Sequence, residues 1–359
     1  MENFKDIKQI KIPQFDIYFD PYKVLTYNSY LYEIVGGRGC GKSFGAKYFC
    51  IKQAITQGKQ FAYIRRYDTE LEKGLATFFN DVREYFSNCE FKVKGNLLYC
   101  NEIVIGYGFA LTKSIISKSS SFPFVDNIIF EEFILEKGVY SYLSDECEKF
   151  LGLLSTIQRN RNAKVLLLGN NESSFNPYFS YFKTELPPPG KYYRYINDGK
   201  GNFIKTNKGN NFQIFIQNYY NKKLLEIQEE SQIGMLTAGL NFSKFAFHNE
   251  EHFVNESMLE KKTGRCSFKC SCIIKSEKIG IWYSIEKGLY YISEDFDPSS
   301  YLIYTFSSSE HTENTVFCKS LKDNYLLRNV FEMYGSGFVR FETKKCKSLF
   351  LEMLRLYRW

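Results

Sequence analysis

The fold is decided by the stretch Gly36-Gly37-Arg38-Gly39-Cys40-Gly41-Lys42-Ser43. It matches the phosphate-binding loop pattern, in which four variable positions separate a glycine from Gly-Lys-Ser. Glycines let backbone N–H groups turn toward phosphate oxygens without a Cβ in the way. Lys42 is placed to contact the β- and γ-phosphates, and the Ser43 hydroxyl is placed to ligate Mg²⁺. The stretch therefore predicts a site for a nucleoside triphosphate.

The residues on either side of this loop agree with that interpretation. Residues 31–35 have the apolar pattern of a buried strand that enters the loop. Residues 43–57 have the pattern of a helix that leaves it, with apolar residues at helical spacing. A glycine-rich turn that binds nothing is the alternative, and the strand–loop–helix setting argues against it.

The overall composition is that of an ordinary soluble protein. The chain has 359 residues, 44% of them hydrophobic, and a net charge of +7, which permits a polyanionic partner without requiring one. Its ten cysteines lack the spacing of a disulfide scaffold, and no apolar run approaches the ~20 residues of a membrane span. We found no secretory leader pattern, so a cytoplasmic location without a membrane partner is expected.

Apolar strands alternate with helices in the first half of the chain. Strands are predicted over 60–67, 127–132 and 163–168, helices over 68–86 and 142–161, and three short antiparallel strands over 91–93, 97–100 and 103–111. Such alternation predicts a parallel sheet that is covered on both faces. Ligands of these sheets bind at the carboxyl ends of the strands. The loop, Arg65-Arg66, Glu131-Glu132 and Asn170-Asn171 all lie at such ends and should converge.

The later part of the chain has a different pattern. A Pro-Pro-Pro-Gly break at 187–190 and a polar helical stretch over 218–260 separate the first strands from a second set that starts near residue 261. We therefore predict three domains: a P-loop ATPase domain over 1–217, a helical linker domain over 218–260, and a second α/β domain over 261–359.

Two adjacent carboxylates supply the chemistry that hydrolysis requires. In Glu131-Glu132, the first acid is placed to hold Mg²⁺ and the second to polarise the attacking water. The alternative is a solvated acidic pair after a core strand, and the upstream phosphate loop argues against it.

Positive charge on the transferred phosphate has more than one possible source. Arg159 and Arg161 end the helix after the carboxylates, where they can face a neighbouring subunit or interact with the helix dipole. Arg38 inside the loop could act in cis. Asn170 is either a sensor of the γ-phosphate or a plain turn residue.

Several of these segments together resemble a known family. They are 35–43, Tyr63-Ile64-Arg65-Arg66-Tyr67, Ile129-Phe130-Glu131-Glu132-Phe133-Ile134, Arg159-Asn160-Arg161, Asn176-Pro177-Tyr178-Phe179, Gly280-Ile281-Trp282 and 288–292. In this order they are similar to the DNA-packaging ATPases of φ29-type tailed phages, small relatives of the terminase large subunits. The resemblance runs over nearly the whole chain.

This resemblance implies an additional-strand (ASCE) P-loop ATPase domain, a small linker domain and a C-terminal RNase H-like domain. It implies a homopentameric ring in the host cytoplasm, absent from the mature virion, that docks on the portal of a procapsid, in some members with a packaging RNA, and pumps double-stranded DNA inward. By motif position it makes Lys42 and Ser43 the loop pair, Glu131 the metal anchor, Glu132 the catalytic base, Arg159 the trans-acting arginine and Asn170 the coupling residue. The metal anchor is usually Asp in this family, so Glu131 is a departure.

Two further activities are not expected. The strand 270–275 has no acid where the first metal ligand of a nuclease is required, and Glu294, Asp295 and Asp297 fit a turn before Pro298, so nuclease activity is predicted to be absent. His248, His252 and the later cysteines lack the tight spacing of a zinc site.

The DNA-contacting residues cannot be identified from the sequence, although it offers loop lysines at 94, 113, 118, 205 and 208. Other hypotheses for the chain are a non-catalytic nucleotide-binding scaffold, a helicase and a small-substrate kinase.

Overall fold

The computed structural model describes residue 4 and residues 7–113, 121–135, 142–172, 176–248, 258–274, 277–306, 310–318 and 324–356. Two compact units are formed, one by the described residues of 1–172 and 182–252, the other by those of 173–181 and 253–359. The described helices at 222–246 group with the first unit, and the separate linker domain over 218–260 stays a prediction.

The elements up to residue 246 are, in chain order, β1 (Lys8–Gln9), α1 (Pro21–Leu25), β2 (Ser29–Gly36), α2 (Lys42–Gln57), β3 (Gln60–Arg65), α3 (Asp68–Ala76), β4 (Phe86–Ser87), β5 (Phe91–Lys94), β6 (Leu97–Cys100), β7 (Ile103–Ala110), β8 (Val125–Glu131), α4 (Glu146–Gln158), β9 (Lys164–Gly169), α5 (Pro177–Phe182), β10 (Tyr192–Asn197), β11 (Phe203–Lys205), β12 (Phe212–Tyr219), α6 (Lys222–Glu229), α7 (Gln232–Thr237) and α8 (Asn241–Ala246). Those of the remaining chain are β13 (Ser267–Ile274), β14 (Glu277–Ser284), β15 (Leu289–Ser293), β16 (Ile303–Thr305), β17 (Val316–Phe317), α9 (Tyr325–Gly335), β18 (Val339–Phe341) and α10 (Lys344–Leu356).

The first unit is built on a ten-stranded sheet with the order β11-β10-β12-β2-β9-β8-β3-β7-β6-β5. The six central strands, from β12 to β7, are mutually parallel, and an antiparallel hairpin flanks them at each edge. The predicted α/β fold with a mainly parallel sheet is confirmed. The three strands predicted after residue 90 are antiparallel to one another as expected, and β7 also pairs in parallel with β3 and so joins the central set.

Burial explains why the central strands stay in place. The residues of β2 from Leu31 to Gly36 are all buried, and so are those of β9 from Val165 onward. Helix α2 packs its apolar residues, among them Ala46 and Ile51, against the face of the sheet that carries Tyr32 and Ile34. This packing fixes the end of β2 and the start of α2, and therefore the loop between them.

One local prediction was wrong. The predicted helix over 68–86 ends at Ala76, and a short 3₁₀ helix follows only at Arg83–Tyr85. Between them Phe78, Phe79 and Val82 are buried in the core, so turns bring these side chains inward where a continuous helix was expected. Cys89 and Cys100, the last residue of β6, form a disulfide, and the other eight cysteines are not disulfide-bonded.

The second unit is a smaller α/β unit with a six-stranded sheet in the order β17-β16-β13-β14-β15-β18. Strands β13, β14 and β15 form an antiparallel meander, and β16 and β18 add in parallel at its two sides. Helices α9 and α10 contribute Leu327, Phe331 and Phe350 to its core. This mixed sheet with helices agrees with the RNase H-like prediction. In the described part of the chain, no helix combines the length and apolarity needed to cross a bilayer.

Candidate nucleotide and catalytic site

The phosphate loop joins β2 to α2 with two glycines in the left-handed region. Gly39 has φ of 71° and Gly41 has φ of 82°, and α2 begins at the next residue, Lys42. A Cβ on Gly41 would lie 2.9 Å from the Tyr18 Cβ, so the position also lacks space for a side chain. The loop therefore requires glycine here for conformation and for packing. The N-terminal end of α2, with its unpaired N–H groups, points into the loop.

Lys42 holds its ammonium group inside the loop. Its Nζ donates to the carbonyl oxygens of Gly36 (2.8 Å) and Gly37 (2.9 Å) and lies 3.3 Å from Asn170 Oδ1. Because Asn170 directly follows β9, the neighbour of β2, the predicted convergence of the strand ends on the loop is present. The amide oxygen of Asn170 therefore contacts the loop lysine, and its role as a sensor or coupling residue stays a prediction.

Glu131 is a buried carboxylate with an unusual set of neighbours. Tyr63 Oη donates to its Oε2 at 2.6 Å, Arg65 Nη1 lies 3.4 Å from the same oxygen, and Lys47 Nζ lies 3.9 Å from Oε1. Burial alone would raise the pKa of Glu131, but the Lys47 charge, the hydroxyls of Tyr63 and nearby Ser43, and Arg65 together hold it below its usual value. The group is therefore an anion at neutral pH.

The surroundings of Glu131 also fit a divalent cation. Its Oε1 is buried and accepts no hydrogen bond from the described residues, although the carboxylate lies beside the Ser43 hydroxyl. A carboxylate oxygen and a hydroxyl oxygen next to a phosphate loop are the kind of oxygen ligands that Mg²⁺ prefers. The longer Glu side chain is accommodated because Tyr63 and Arg65 hold its other oxygen.

Glu132 differs sharply from its neighbour. Its backbone has φ of 57°, its side chain is 56% exposed, and Arg65 Nη2 donates to its Oε2 at 2.7 Å. Arg65 thus contacts both carboxylates at once. Glu132 lies at the cleft surface, where a water molecule has access, whereas Glu131 does not.

Arg66 holds the backbone of Glu132 in its positive-φ conformation from the buried side of the sheet end. Its fully buried guanidinium pairs with Glu146 at 2.8 Å and donates to the carbonyl oxygens of Glu132 and Phe133, each at 2.9 Å. Since Glu146 starts α4, this arginine joins the end of β8 to that helix. The sequence showed a basic pair at 65–66 but not that its members have separate tasks.

The backbone of Arg38 is hydrogen-bonded to two of the helices that follow β12. Ala246 of α8 accepts from the Arg38 N–H at 2.9 Å, and Gln228 Nε2 of α6 donates to the Arg38 carbonyl at 2.8 Å. A Cβ on Gly37 would lie 2.6 Å from the Ala246 oxygen. Sequence reasoning missed these contacts. The one available signal was the second glycine of the loop, which the motif does not require.

These groups border one cleft of about 1000 Å³ at the carboxyl ends of the strands. Its lining comes from the loop, from the strand ends and from two further segments that contribute Lys11, Ile12, Gln14, Tyr18, Asn80, Asp81, Glu84 and Tyr85. Tyr18, Phe44 and Tyr85 make one part of it aromatic. Tyr22 of α1 does not border this cleft: it packs against Phe49 with ring centroids 5.1 Å apart and borders a separate cavity.

The two arginines after α4 lie at the other end of the sheet. Arg161 donates to the carbonyl oxygens of Phe122, Pro123, Val125 and Ile157, and Val125 is the first residue of β8. A seven-residue strand spans about 20 Å, so Arg161 and the exposed Arg159 are far from their own cleft. Arg161 is used structurally, and the action of Arg159 in a neighbouring subunit stays a prediction.

The remaining predicted residues have other roles. Among the loop lysines, Lys94 pairs with Glu102, Lys113 with Asp68 and Lys205 with Glu185, while Lys118 lies outside the described residues. His248 contacts Glu229 at 3.2 Å, and His252 is outside the described residues.

In the second unit the predicted acidic cluster is neutralised by lysines. Asp295 pairs with Lys262 at 2.7 Å, and Glu294 lies 3.6 Å from Lys345. Asp297 accepts from Ser299 in a turn. Over the described ranges, no group of three or more potential metal-ligating side chains is present.

Comparison with known proteins gives consistent results. A family model described as podovirus DNA encapsidation protein (Gp16) matches residues 14–358. The DNA packaging protein of Bacillus phage B103 is 31% identical over 338 residues, which cover 93% of this chain and 99% of that protein. That of Bacillus phage phi29 is 29% identical over 354 residues, covering 95% and 98%. A chain of the bacteriophage Phi-29 viral genome packaging motor assembly superposes with a TM-score of 0.66 at 28% identity, covering 95% of this chain and 99% of that one.

Proposed function

This chain belongs to the podovirus DNA encapsidation protein (Gp16) family, and we propose that it hydrolyses ATP to drive double-stranded viral DNA into a preformed procapsid. The observation that carries the proposal is the convergence of Lys42, Ser43, Glu131, Glu132 and Asn170 on one cleft. Relatives named DNA packaging proteins match it over almost their whole length.

The residues of the cleft divide the work of hydrolysis. Lys42 exchanges its contacts with the loop carbonyls for the β- and γ-phosphate oxygens, and the N–H groups at the start of α2 bind the same oxygens. Asn170 Oδ1, 3.3 Å from the Lys42 ammonium, couples the end of β9 to that exchange. Tyr18, Phe44 and Tyr85 offer apolar surface for the base.

Glu131 and Ser43 would hold Mg²⁺, which neutralises charge on the phosphates when bound. Glu132 takes the proton of the attacking water as general base, since it is the acid at the cleft surface. Arg65 positions both carboxylates and must release Glu132 Oε2 for that oxygen to reach water.

A second protomer completes the site. Because Arg159 lies at the opposite end of the sheet from its own loop, it stabilises the phosphate charge in a neighbour's cleft. We therefore propose a closed ring, a homopentamer as in the resembling family, on the portal of the procapsid, with a packaging RNA as a further partner. We place it in the host cytoplasm, attached to the procapsid only during packaging and absent from the virion.

The second unit is proposed to have no nuclease activity, because β13 carries no acid where a nuclease needs its first metal ligand. Two other functions compete with the motor. A nucleotide-binding scaffold would bind ATP without turnover, and the orphan oxygen of Glu131 beside Ser43 argues against it. A helicase would separate strands.

The test is the ATPase rate of the purified chain with and without duplex DNA, together with a strand-displacement assay. We expect turnover that duplex DNA stimulates, without strand separation. ATP binding with no turnover would favour the scaffold, and displacement of one strand would favour the helicase.

A further inference from the structure

The hairpin at the β11 edge of the large sheet is strongly basic. Residues 191–211, here called the cationic hairpin, contain five basic residues and one acidic residue. The basic residues are Lys191, Arg194, Lys200, Lys205 and Lys208. The cleft chemistry described above does not use any of them.

The loops of this hairpin are ordered by their own hydrogen bonds. The Asp198 carboxylate accepts from the Asn202 side-chain amide (2.9 Å) and from the backbone N–H groups of Lys200 (2.7 Å) and Asn202 (3.1 Å). These bonds, the one from the Asn202 side chain first, hold the pKa of Asp198 below its usual value. Thr206 Oγ1 accepts from the Lys208 N–H at 3.1 Å. The single acid of the hairpin therefore shapes a turn, and two lysines are presented from fixed positions in the loops.

The basic residues fall into two groups. Arg194 lies over the Phe212 ring at 4.1 Å and donates to the Asn207 carbonyl, and Lys205 pairs with Glu185 at 2.5 Å, so both support the hairpin itself. Lys191, Lys200 and Lys208 are exposed, and within the described chain they have no acidic partner. Three charges are thus left for an external anion.

The lysines at the opposite edge of the same sheet, in contrast to those of the cationic hairpin, have acidic partners. The β5–β6 hairpin carries Lys92 and Lys94, but Lys92 pairs with Glu90 (3.0 Å) and Glu102 (2.5 Å), and Lys94 pairs with Glu102 (3.3 Å). Lysines protect edge strands from pairing with other chains. In the cationic hairpin, Lys205 is sufficient to protect the edge strand β11, which has only three residues. This protection does not account for Lys200 and Lys208 in the loops.

We propose that the cationic hairpin binds the phosphate backbone of duplex DNA through Lys200 and Lys208, with Lys191 as a third contact. The proposal rests on the proposed function for the presence of DNA at this protein. Exposed ammonium groups on short ordered loops match a repeating row of phosphates and read no base sequence. The hairpin is therefore a sequence-independent grip outside the nucleotide cleft.

The test uses the full-length variant Lys200→Gln/Lys208→Gln and its matched control Lys92→Gln/Lys94→Gln, which removes the same charge from the other edge. Binding of a short DNA duplex, and of an RNA duplex of the same sequence, is measured over a series of salt concentrations. Basal ATPase without nucleic acid should be unchanged in both variants.

For the hairpin variant we expect the dissociation constant for DNA to rise on the order of tenfold and the logarithmic salt slope to fall by about 2, one unit for each lost phosphate contact. The control should keep the wild-type slope. Equal DNA binding by both variants, or a loss confined to the RNA duplex, overturns the proposal. Failure of the wild-type chain to bind any DNA overturns the proposed function as well.

Discussion

Carboxylates cluster in both units of this protein, but only the cluster of the first unit lies beside a phosphate loop. In the first unit, Glu131 Oε1 accepts no hydrogen bond from the described residues and lies beside Ser43 at a phosphate loop. In the second unit, Lys262 contacts Asp295 at 2.7 Å and Glu342 at 3.5 Å.

Both clusters contact basic residues, since Lys47 Nζ lies 3.9 Å from Glu131 Oε1 and Arg65 Nη2 lies 2.7 Å from Glu132 Oε2. The first cluster differs because a buried carboxylate oxygen without a hydrogen bond lies next to a hydroxyl and a phosphate loop.

Among the predictions, the largest loss of ATPase activity is expected for replacement of Arg159, which would complete the site of the first unit from a neighbouring subunit. Replacement of Arg159 by Ala should lower the DNA-stimulated ATPase rate by about 10³-fold, because a trans-acting arginine stabilises the charge of the transferred phosphate. Mixing Arg159→Ala with Glu132→Gln subunits should restore part of the activity, since some interfaces then combine an intact cleft with an intact arginine. A mixture as inactive as its components would contradict action in trans.

The two clusters can be compared by matched amide substitutions. Glu131→Gln should lower turnover by ~100-fold or more, because the cation then loses its anionic ligand. Glu342→Gln in the second unit should leave the ATPase within about twofold of wild type, because the proposed chemistry does not use this residue. Steady-state rates at saturating Mg²⁺ and ATP measure both, and similar losses in the two variants would break the distinction.

A third carboxylate in the first unit, Glu33, predicts a pH effect on stability. It lies fully buried in the middle of β2 without a hydrogen-bond partner among the described residues, and burial raises its pKa to about 8. The folded state therefore binds a proton that the unfolded chain has released above its ordinary pKa of about 4.3. Stability is fully present below that value and is lost as pH rises toward 8.

Glu33→Gln should remove most of this dependence. Between pH 5 and pH 8 the wild-type chain should lose on the order of 3 kcal/mol that the variant keeps. Thermal unfolding midpoints at a series of pH values measure the difference, with the exposed Glu72→Gln as control. Parallel pH profiles for wild type and Glu33→Gln would show that Glu33 is ionised in the folded protein.

The smallest expected effect concerns the second unit. Neither the wild-type chain nor Lys262→Ala should cut plasmid DNA in Mg²⁺ or Mn²⁺, because β13 carries Cys270, Ser271 and Cys272 where a nuclease needs its first acid. Gel analysis of supercoiled plasmid is sufficient. Cutting by Lys262→Ala alone would show that the lysine hides a functional metal site, and cutting by wild type would contradict the assignment outright.

Local sequence patterns were enough for the loop, the parallel sheet and the convergence of the strand ends. They could not separate Arg65 from Arg66. Successive residues at a strand end point to opposite faces, and only the fold shows that one reaches the cleft and the other the buried Glu146. The hydrogen bonds of the Arg38 backbone with Gln228 and Ala246 could not be predicted either. They join segments about 190 residues apart in sequence, and such contacts leave no periodic pattern.

The length of α3 was missed for a related reason. Phe78, Phe79 and Val82 fit a helical pattern, yet they lie on turns that bury them in the core. The aromatic lining of the cleft is likewise set by tertiary packing, because Tyr18, Phe44 and Tyr85 come from three separate segments.

The central claim is that the carboxyl-end cleft of the first unit hydrolyses ATP with Glu132 as the base. It is tested most directly by measuring ATP affinity and single-turnover hydrolysis on Glu132→Gln. We predict near wild-type binding of ATP with hydrolysis slowed by at least ~100-fold, because the amide keeps the shape of the side chain but cannot accept the proton. Hydrolysis at the wild-type rate in this variant would contradict the account.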